Sequence, residues 1–277
     1  MEEYISGERI SKLCDVCIYD RNELRIRPFV KDYCNKIIYA YESITKETVD
    51  VVNSCKIFFC KSDCIGFFCK NILPLINSKF VFVTHNSSLT VGNNKDILNS
   101  KFLIRWYGQN MIPHVKSEGI PLGIANSGWK HGNLSIIEKN HMNNKTDLLY
   151  VNFSIGTNTK KRTEVLQKLE KNGFNMTESC DFNDYIEQLS LHKFCISPPG
   201  NGVDCHRIWE SLYVGCIPIV EKDPLLYPYF KDMRILFIDD FNIITEEYLN
   251  EVYNKMTQCY NNDKLKLSYW KRRFNEK

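Results

Sequence analysis

Apolar runs of five to seven residues recur at 36–41 (KIIYAY), 55–60 (CKIFFC), 80–85 (FVFVTH), 102–107 (FLIRWY), 120–124 (IPLGI), 148–154 (LLYVNFS), 193–197 (KFCIS), 216–220 (CIPIV) and 234–239 (RILFID). Several are continuous rather than alternating, the pattern of parallel strands covered on both faces. Helix-like segments lie between them. TKETVDVVN (45–53) opens on a Thr cap, IGFFCKNILPLI (65–76) is apolar, and TKKRTEVLQKLEKNG (159–173) ends in a stopping Gly. NDYIEQLSLH (183–192) is amphipathic, and TEEYLNEVYNKMTQCY (245–260) is a further helix near the end. Strands alternating with helices restrict the fold to doubly wound α/β layers.

The alternation breaks at 126–147, where NSGWKHGNLSIIEKNHMNNKTD is rich in Asn, Gly, Ser and Lys and has no sustained period. It reads as a linker between an α/β domain at 1–125 and another at 148–265. The 277-residue chain is long enough to give each half its own core. Residues 266–277, with KLKLSYWKRRF, form a short helix candidate whose aromatic residues need a surface to pack on.

A formal net charge of +3 argues against nucleic acid as a bulk partner. No apolar run reaches the roughly 20 residues of a membrane span, and MEEYISGERI lacks the basic start and apolar core of a signal peptide. The expectation is a soluble, cytoplasmic protein without a transmembrane segment. Twelve cysteines invite a metal or disulfide reading. Cys14 and Cys17 form a CxxC, but no second pair follows at zinc-finger spacing. Reduced, buried thiols are the expected state, with no metal site.

The densest chemistry lies in SPPGNGVDCHRIWESLYVGCIPIV, 197–220. Strand, glycine loop, helix and strand follow one another, which places the loop at the carboxyl edge of a sheet, where open α/β folds bind ligands. Pro ends the first strand, and Gly200 and Gly202 permit positive φ. Asp204 is the expected N-cap of a helix over about 205–214, and Gly215 its stop. His206 and Arg207 fall in the first turn, where the helix dipole and the guanidinium together suit a phosphate or diphosphate. Glu210, one turn on, suits vicinal hydroxyls such as those of a ribose. The spacing alone leaves open whether Arg207 and Glu210 simply pair with each other.

The pattern F-C-I-S-P-P-G-N-G-x-D-x-H-R-x-W-E-x-L-x-x-G-C-I-P-I-V closely resembles the nucleotide-sugar-binding segment of exostosin-like glycosyltransferases, short forms of which occur in microbes and large DNA viruses. Weaker likenesses extend over FVTHNSS (82–88), WYGQN (106–110), IPLGIANSGWKHGN (120–133) and VNFSIGTNTKKR (151–162). The resemblance implies a GT-B architecture, two Rossmann-like domains facing across a cleft. The C-terminal one would bind a UDP- or GDP-linked sugar and the N-terminal one a glycan or glycoconjugate acceptor, generally without bound metal or other cofactor. In such folds the terminal helix often crosses back to the first domain, which would give Tyr269 and Trp270 a partner.

On this reading the donor is met by Ser197, Gly200, Asn201, Gly202, Asp204, His206, Arg207 and Glu210. A second basic element, Asn158, Lys160, Lys161 and Arg162, would help neutralise the departing diphosphate. Basic residues at a helix start oppose the dipole, which favours a bound anion there over a solvated face. Arg207 is the catalytic residue expected to stabilise the leaving diphosphate, and His85, at the end of FVFVTH, the candidate general base, with Asp63 or Glu118 as substitutes. Asn86, Ser87, Ser88, Asn126, Ser127, Trp129 and His131 are candidate cleft or acceptor residues. After seven intervening residues Glu210 is followed by Pro218, so the E-x7-E of many retaining GT-B enzymes is missing and inversion is the expected outcome. Two other classes stay open. A non-catalytic nucleotide- or sugar-binding module would keep 197–220 without a base. An NAD-linked oxidoreductase would use Gly200, Gly202 and Glu221, although Cys205 stands where its third glycine belongs.

Overall fold

The computed structural model describes residues 3–141, 143–256 and 260–276. The chain divides into two compact units, one of residues 1–122 and 266–277 and one of residues 123–265. In the first, strands β1 Val16–Asp20, β2 Ile37–Ala40, β3 Ile57–Lys61, β4 Phe80–His85, β5 Leu103–Gly108 and β6 Ser117–Gly119 form one sheet in the order β2-β1-β3-β4-β5-β6. Every pairing is parallel. Its helices are α1 Gly7–Lys12, α2 Arg21–Ile26, α3 Lys46–Ser54, α4 Ile65–Phe67 and α5 Lys95–Asn99. In the second unit β7 Asp147–Tyr150, β8 His192–Ile196, β9 Ile217–Glu221 and β10 Leu236–Ile238 form a parallel sheet ordered β10-β9-β8-β7. Helices α6 Leu134–Lys139, α7 Thr159–Lys171, α8 Phe182–Leu191, α9 His206–Tyr213, α10 Tyr227–Phe230 and α11 Glu246–Lys255 accompany it. Two parallel α/β sheets in one chain are consistent with a two-domain, GT-B-like architecture. No helix among the described residues is long and apolar enough to cross a membrane.

The last helix, α12 Leu267–Phe274, belongs to the first unit. Leu267, Trp270 and Phe274 are buried in the core that also holds Tyr19, Phe59, Val83 and Tyr107. Phe274 lies 4.9 Å and Trp270 6.1 Å from the Tyr107 ring, centre to centre. Its polar face is anchored as well. Arg273 pairs with Glu118 at 2.5 Å, and the Tyr107 hydroxyl donates to the Arg273 carbonyl.

Four local expectations change. VCIYD at 16–20 is an internal strand of the sheet, paired to β2 and β3; its Cys17 is a buried strand residue. The strand expected at 120–124 is displaced to β6. Ile120 N–H still reaches the Gly108 carbonyl, but Pro121 has no N–H with which to continue the ladder. The helix expected over 65–76 is α4, then a π turn at Phe68–Ile72 and a 3₁₀ turn at Leu73–Leu75, where Pro74 prevents a regular helix. Within 126–147, α6 is capped by Asn133 and buries Ile137, so the supposed linker carries structure of its own in the second unit. Of the helix expected at 245–260, Glu246–Lys255 is helical, and 257–259 lie outside the described residues.

The described cysteines are free thiols, and among the described residues no three or more His, Cys, Asp or Glu gather as a metal site. Burial pushes the thiols of Cys14, Cys60 and Cys216 well above the ordinary range and those of Cys64, Cys69 and Cys195 up to about 11. They behave as small apolar side chains.

Candidate functional site

The loop from β8 to α9 is built on Arg162. This residue sits in the first turn of α7 and is 4% exposed. Its Nε donates to Pro199 O at 3.0 Å, Nη2 to Pro198 O at 3.2 Å and Nη1 to Ser154 O at 2.6 Å. Its guanidinium carbon also stands 5.7 Å from the centre of the Phe153 ring. Asn158 caps α7 through Lys161 N–H and donates from its side-chain amide to Gly200 O at 3.2 Å. Two residues expected to meet the ligand therefore hold the loop from beneath. The space at Gly200 is tight: a Cβ there would lie 3.0 Å from Arg162 Nη2, which would have to shift by a few tenths of an ångström. Neither Gly200 nor Gly202 adopts positive φ; the left-handed glycine of this segment is Gly215, at φ 75°, just past α9 as expected. Gly200 N–H bonds back to Gly202 O at 2.9 Å, and Asn201 at the tip is exposed.

The expected cap is corrected. Cys205, not Asp204, occupies the N-cap of α9, and no side chain caps the helix. Asp204 is buried and accepts the Trp209 indole N–H at 2.6 Å. The carboxylate lies one residue too early in the chain to cap, and the adjacent indole needs an acceptor. The start of α9 is thereby left to other partners.

On that first turn His206 Nδ1 lies 2.7 Å from Gly123 O. A carbonyl only accepts, so Nδ1 carries a proton. Arg207 Nε is enclosed and, among the described residues, has no hydrogen-bond partner. Arg207 forms no ion pair with Glu210, which settles the question of spacing. Glu210, 4% exposed, accepts the Tyr185 hydroxyl on Oε2 at 3.0 Å, and the Tyr185 ring centre is 5.9 Å from the Arg207 guanidinium carbon. Burial lowers the proton affinity of Arg162, and the neighbouring Arg207 charge lowers it further. At Arg207 burial acts in the same direction, but Tyr185, Cys195, Cys205 and Glu210 outweigh it. Two guanidinium groups thus feel each other beneath one loop, one satisfied by carbonyls and one not.

The other cations expected here are dispersed. Lys160 is exposed, and Lys161 pairs with Glu221 at 2.6 Å. That pair also occupies the acid that an NAD-linked reading would need.

The three candidate bases of the first unit are each engaged by protein groups. His85 is fully buried. Its Nε2 lies 3.0 Å from Pro121 O and its Nδ1 accepts Asn86 N–H at 2.8 Å, so the ring is a neutral Nε2–H tautomer whose lone pair is already engaged. Its expected role as general base is withdrawn on that ground. Glu118 is held by Arg273, and Asp63 pairs with Lys61 at 2.7 Å. Asn86, at φ 62°, donates to Tyr19 Oη, while Ser87 accepts Leu89 N–H. In the second unit Asn126 O receives Trp129 N–H at the turn, Trp129 is 47% exposed, and His131 packs edge-on against Phe182.

Tyr185 was missed by sequence reasoning. The only signal was its place on the amphipathic helix NDYIEQLSLH, which marks a packed face and does not single out one phenol.

Comparison with known proteins points the same way for the second unit. Residues 129–234 match the exostosin GT47 domain. A probable glucuronosyltransferase of Oryza sativa subsp. japonica is 31% identical over 70 residues, 25% of this chain and 16% of that protein. A probable glycosyltransferase of Arabidopsis thaliana is 35% identical over 46 residues, 17% of this chain and 10% of that protein. Over residues 129–234, which contain the whole loop and α9, the chain is exostosin-like. His85 and the rest of the first sheet lie outside that match.

Proposed function

We propose that the protein is an exostosin-like glycosyltransferase that moves a sugar from a nucleoside-diphosphate donor to a hydroxyl of a glycan or glycoconjugate. The supporting observation is Arg207, a guanidinium with an enclosed, unpartnered Nε at the uncapped start of α9, inside the matched segment. A positive charge without counter-ion at a helix start that no side chain caps is stable when an anion completes it. The donor diphosphate is that anion. Arg207 would draw off charge as the bond to the anomeric carbon breaks, a role otherwise open to a metal ion. We therefore favour metal-independent transfer, with no other cofactor. Glu210 presents Oε1, which makes no protein hydrogen bond, to the ribose hydroxyls. Ser197 Oγ and Gly202 are further donor contacts. Inversion follows from Pro218 standing where a second Glu would serve a retaining mechanism.

The engagement of His85, Asp63 and Glu118 favours a second reading, a module that binds a nucleotide sugar without transferring it. The two readings separate on one measurement. Titration with UDP and GDP should show binding that Arg207→Ala weakens about 10- to 100-fold, the value of one or two charge-assisted hydrogen bonds. Slow hydrolysis of the matching nucleotide sugar would support catalysis. Binding without any turnover would support the module, and unchanged affinity in Arg207→Ala would remove Arg207 from the site.

A further inference from the structure

Glu210 follows Arg207 by three positions on α9, a spacing at which opposite charges pair readily. Glu210 is buried and Arg207 half-buried with its Nε enclosed, a setting where an unpaired guanidinium is costly and a carboxylate beside it would relieve the cost. The pair is nevertheless absent. Tyr185, from α8, makes contact with both members: its hydroxyl donates to Glu210 Oε2 at 3.0 Å and its ring centre lies 5.9 Å from the Arg207 guanidinium carbon. We propose that Tyr185 is a positioning residue that holds Glu210 off Arg207, so that the guanidinium keeps its charge for the diphosphate of the ligand. The inference rests on the reading of Arg207 as an anion contact.

Two properties of the phenol do this work. The hydroxyl holds the carboxylate, and the ring face offers the cation a contact weaker than an ion pair and readily supplemented by an anion. Burial pushes the Tyr185 phenol well above its ordinary range, and Glu210 pushes it further against the opposing effect of Arg207. The hydroxyl is therefore protonated, and a donor, throughout the neutral range. Among the groups facing this trio, Cys195 on β8 is also held protonated, with burial raising it to about 11. The trio then carries one cation and one carboxylate that are kept apart.

Inorganic pyrophosphate is the probe, because it has no ribose and so does not report on any nucleoside contact of Glu210. Calorimetric titration of the full chain is compared for the unaltered protein and for Tyr185→Phe, Glu210→Gln and the double variant. Tyr185→Phe keeps the ring and removes the restraint. It should bind pyrophosphate about tenfold more weakly, the factor produced by a competing ion pair worth about 1.4 kcal/mol. The double variant should regain the affinity of Glu210→Gln to within about threefold, because a neutral amide does not compete for the guanidinium charge. A purely structural role for Tyr185 would leave the loss unrepaired by Glu210→Gln. That result overturns the proposal, as does a Tyr185→Phe protein that binds like the unaltered one while Arg207→Ala does not. If the unaltered protein binds no pyrophosphate, or Arg207→Ala binds it equally well, the anion-site reading itself fails and the role of Tyr185 falls with it.

Discussion

Arg162→Met tests the view that Arg162 supports the glycine loop and does not itself meet the ligand. The substitution keeps the length and apolar stem of the side chain but removes three donors. Pro198 O loses an enclosed hydrogen bond to a charged group, while Pro199 O and Ser154 O lose bonds that water partly replaces. At about 2–3 kcal/mol for the enclosed bond and about 1 kcal/mol for each of the others, the gross loss is about 4–5 kcal/mol, and relaxation of the loop should reduce it to about 3 kcal/mol. Arg162→Lys retains the charge but can satisfy one carbonyl well, so it should fall about midway. The assay is urea denaturation without any ligand, followed by Trp209 fluorescence, because that indole reports on the second unit through its bond to Asp204. If Arg162→Met were as stable as the unaltered protein without ligand, and lost only nucleotide affinity, the clamp would be refuted and Arg162 would return to the list of anion contacts.

Three further outcomes are expected. Trp270→Ala should destabilise the first unit by about 3–5 kcal/mol, measured by thermal denaturation, since the indole is fully buried against Tyr107 and Phe274. Nitrogen-15 NMR of His85 should show a neutral ring protonated at Nε2, and a ring protonated at Nδ1 instead would contradict the assigned tautomer. The raised thiols make stability fall with alkaline pH: the folded state holds protons on Cys64, Cys69 and Cys195 up to about 11, while unfolded thiols release them at about 8.5, so stability is full below about pH 8 and declines between about pH 9 and 11. Denaturation midpoints measured across that range check it, and a flat profile would contradict the assigned burial.

What the sequence made legible follows from how far each signal reaches along the chain. The parallel strands, the cap at Thr45 and the stop at Gly215 are local events, set by residues within a turn or two of one another. Asp204 shows the limit of such signals: cap chemistry is shared by every Asp near a helix start, and the choice between capping and the Trp209 indole depends on an offset of one residue. The role of Arg162 was hidden for a different reason. Its two carbonyl partners in the glycine loop lie 36 and 37 residues away, so a basic first turn looks the same whether it holds a loop or an anion. His85 failed as a base because its acceptor and donor are both backbone groups, which carry no sequence signature.

The cations of the second unit make the case for Arg207 by contrast. Lys145 donates to the carbonyls of Ser190 and Val214, at the ends of α8 and α9, where a positive charge complements both helix dipoles. Arg162 is satisfied by three loop carbonyls, and Lys161 and Lys168 by Glu221 and Asp240. Each has an oxygen partner supplied by the protein. Arg207 is half-buried with its Nε enclosed, three residues before a carboxylate, and among the described residues that Nε has no hydrogen-bond partner. A fold that carries a carboxylate three residues along the same helix, yet directs it to a phenol, retains an unpaired guanidinium Nε. Retention is expected where the missing partner arrives with the ligand, because binding then recovers the stability that folding forgoes.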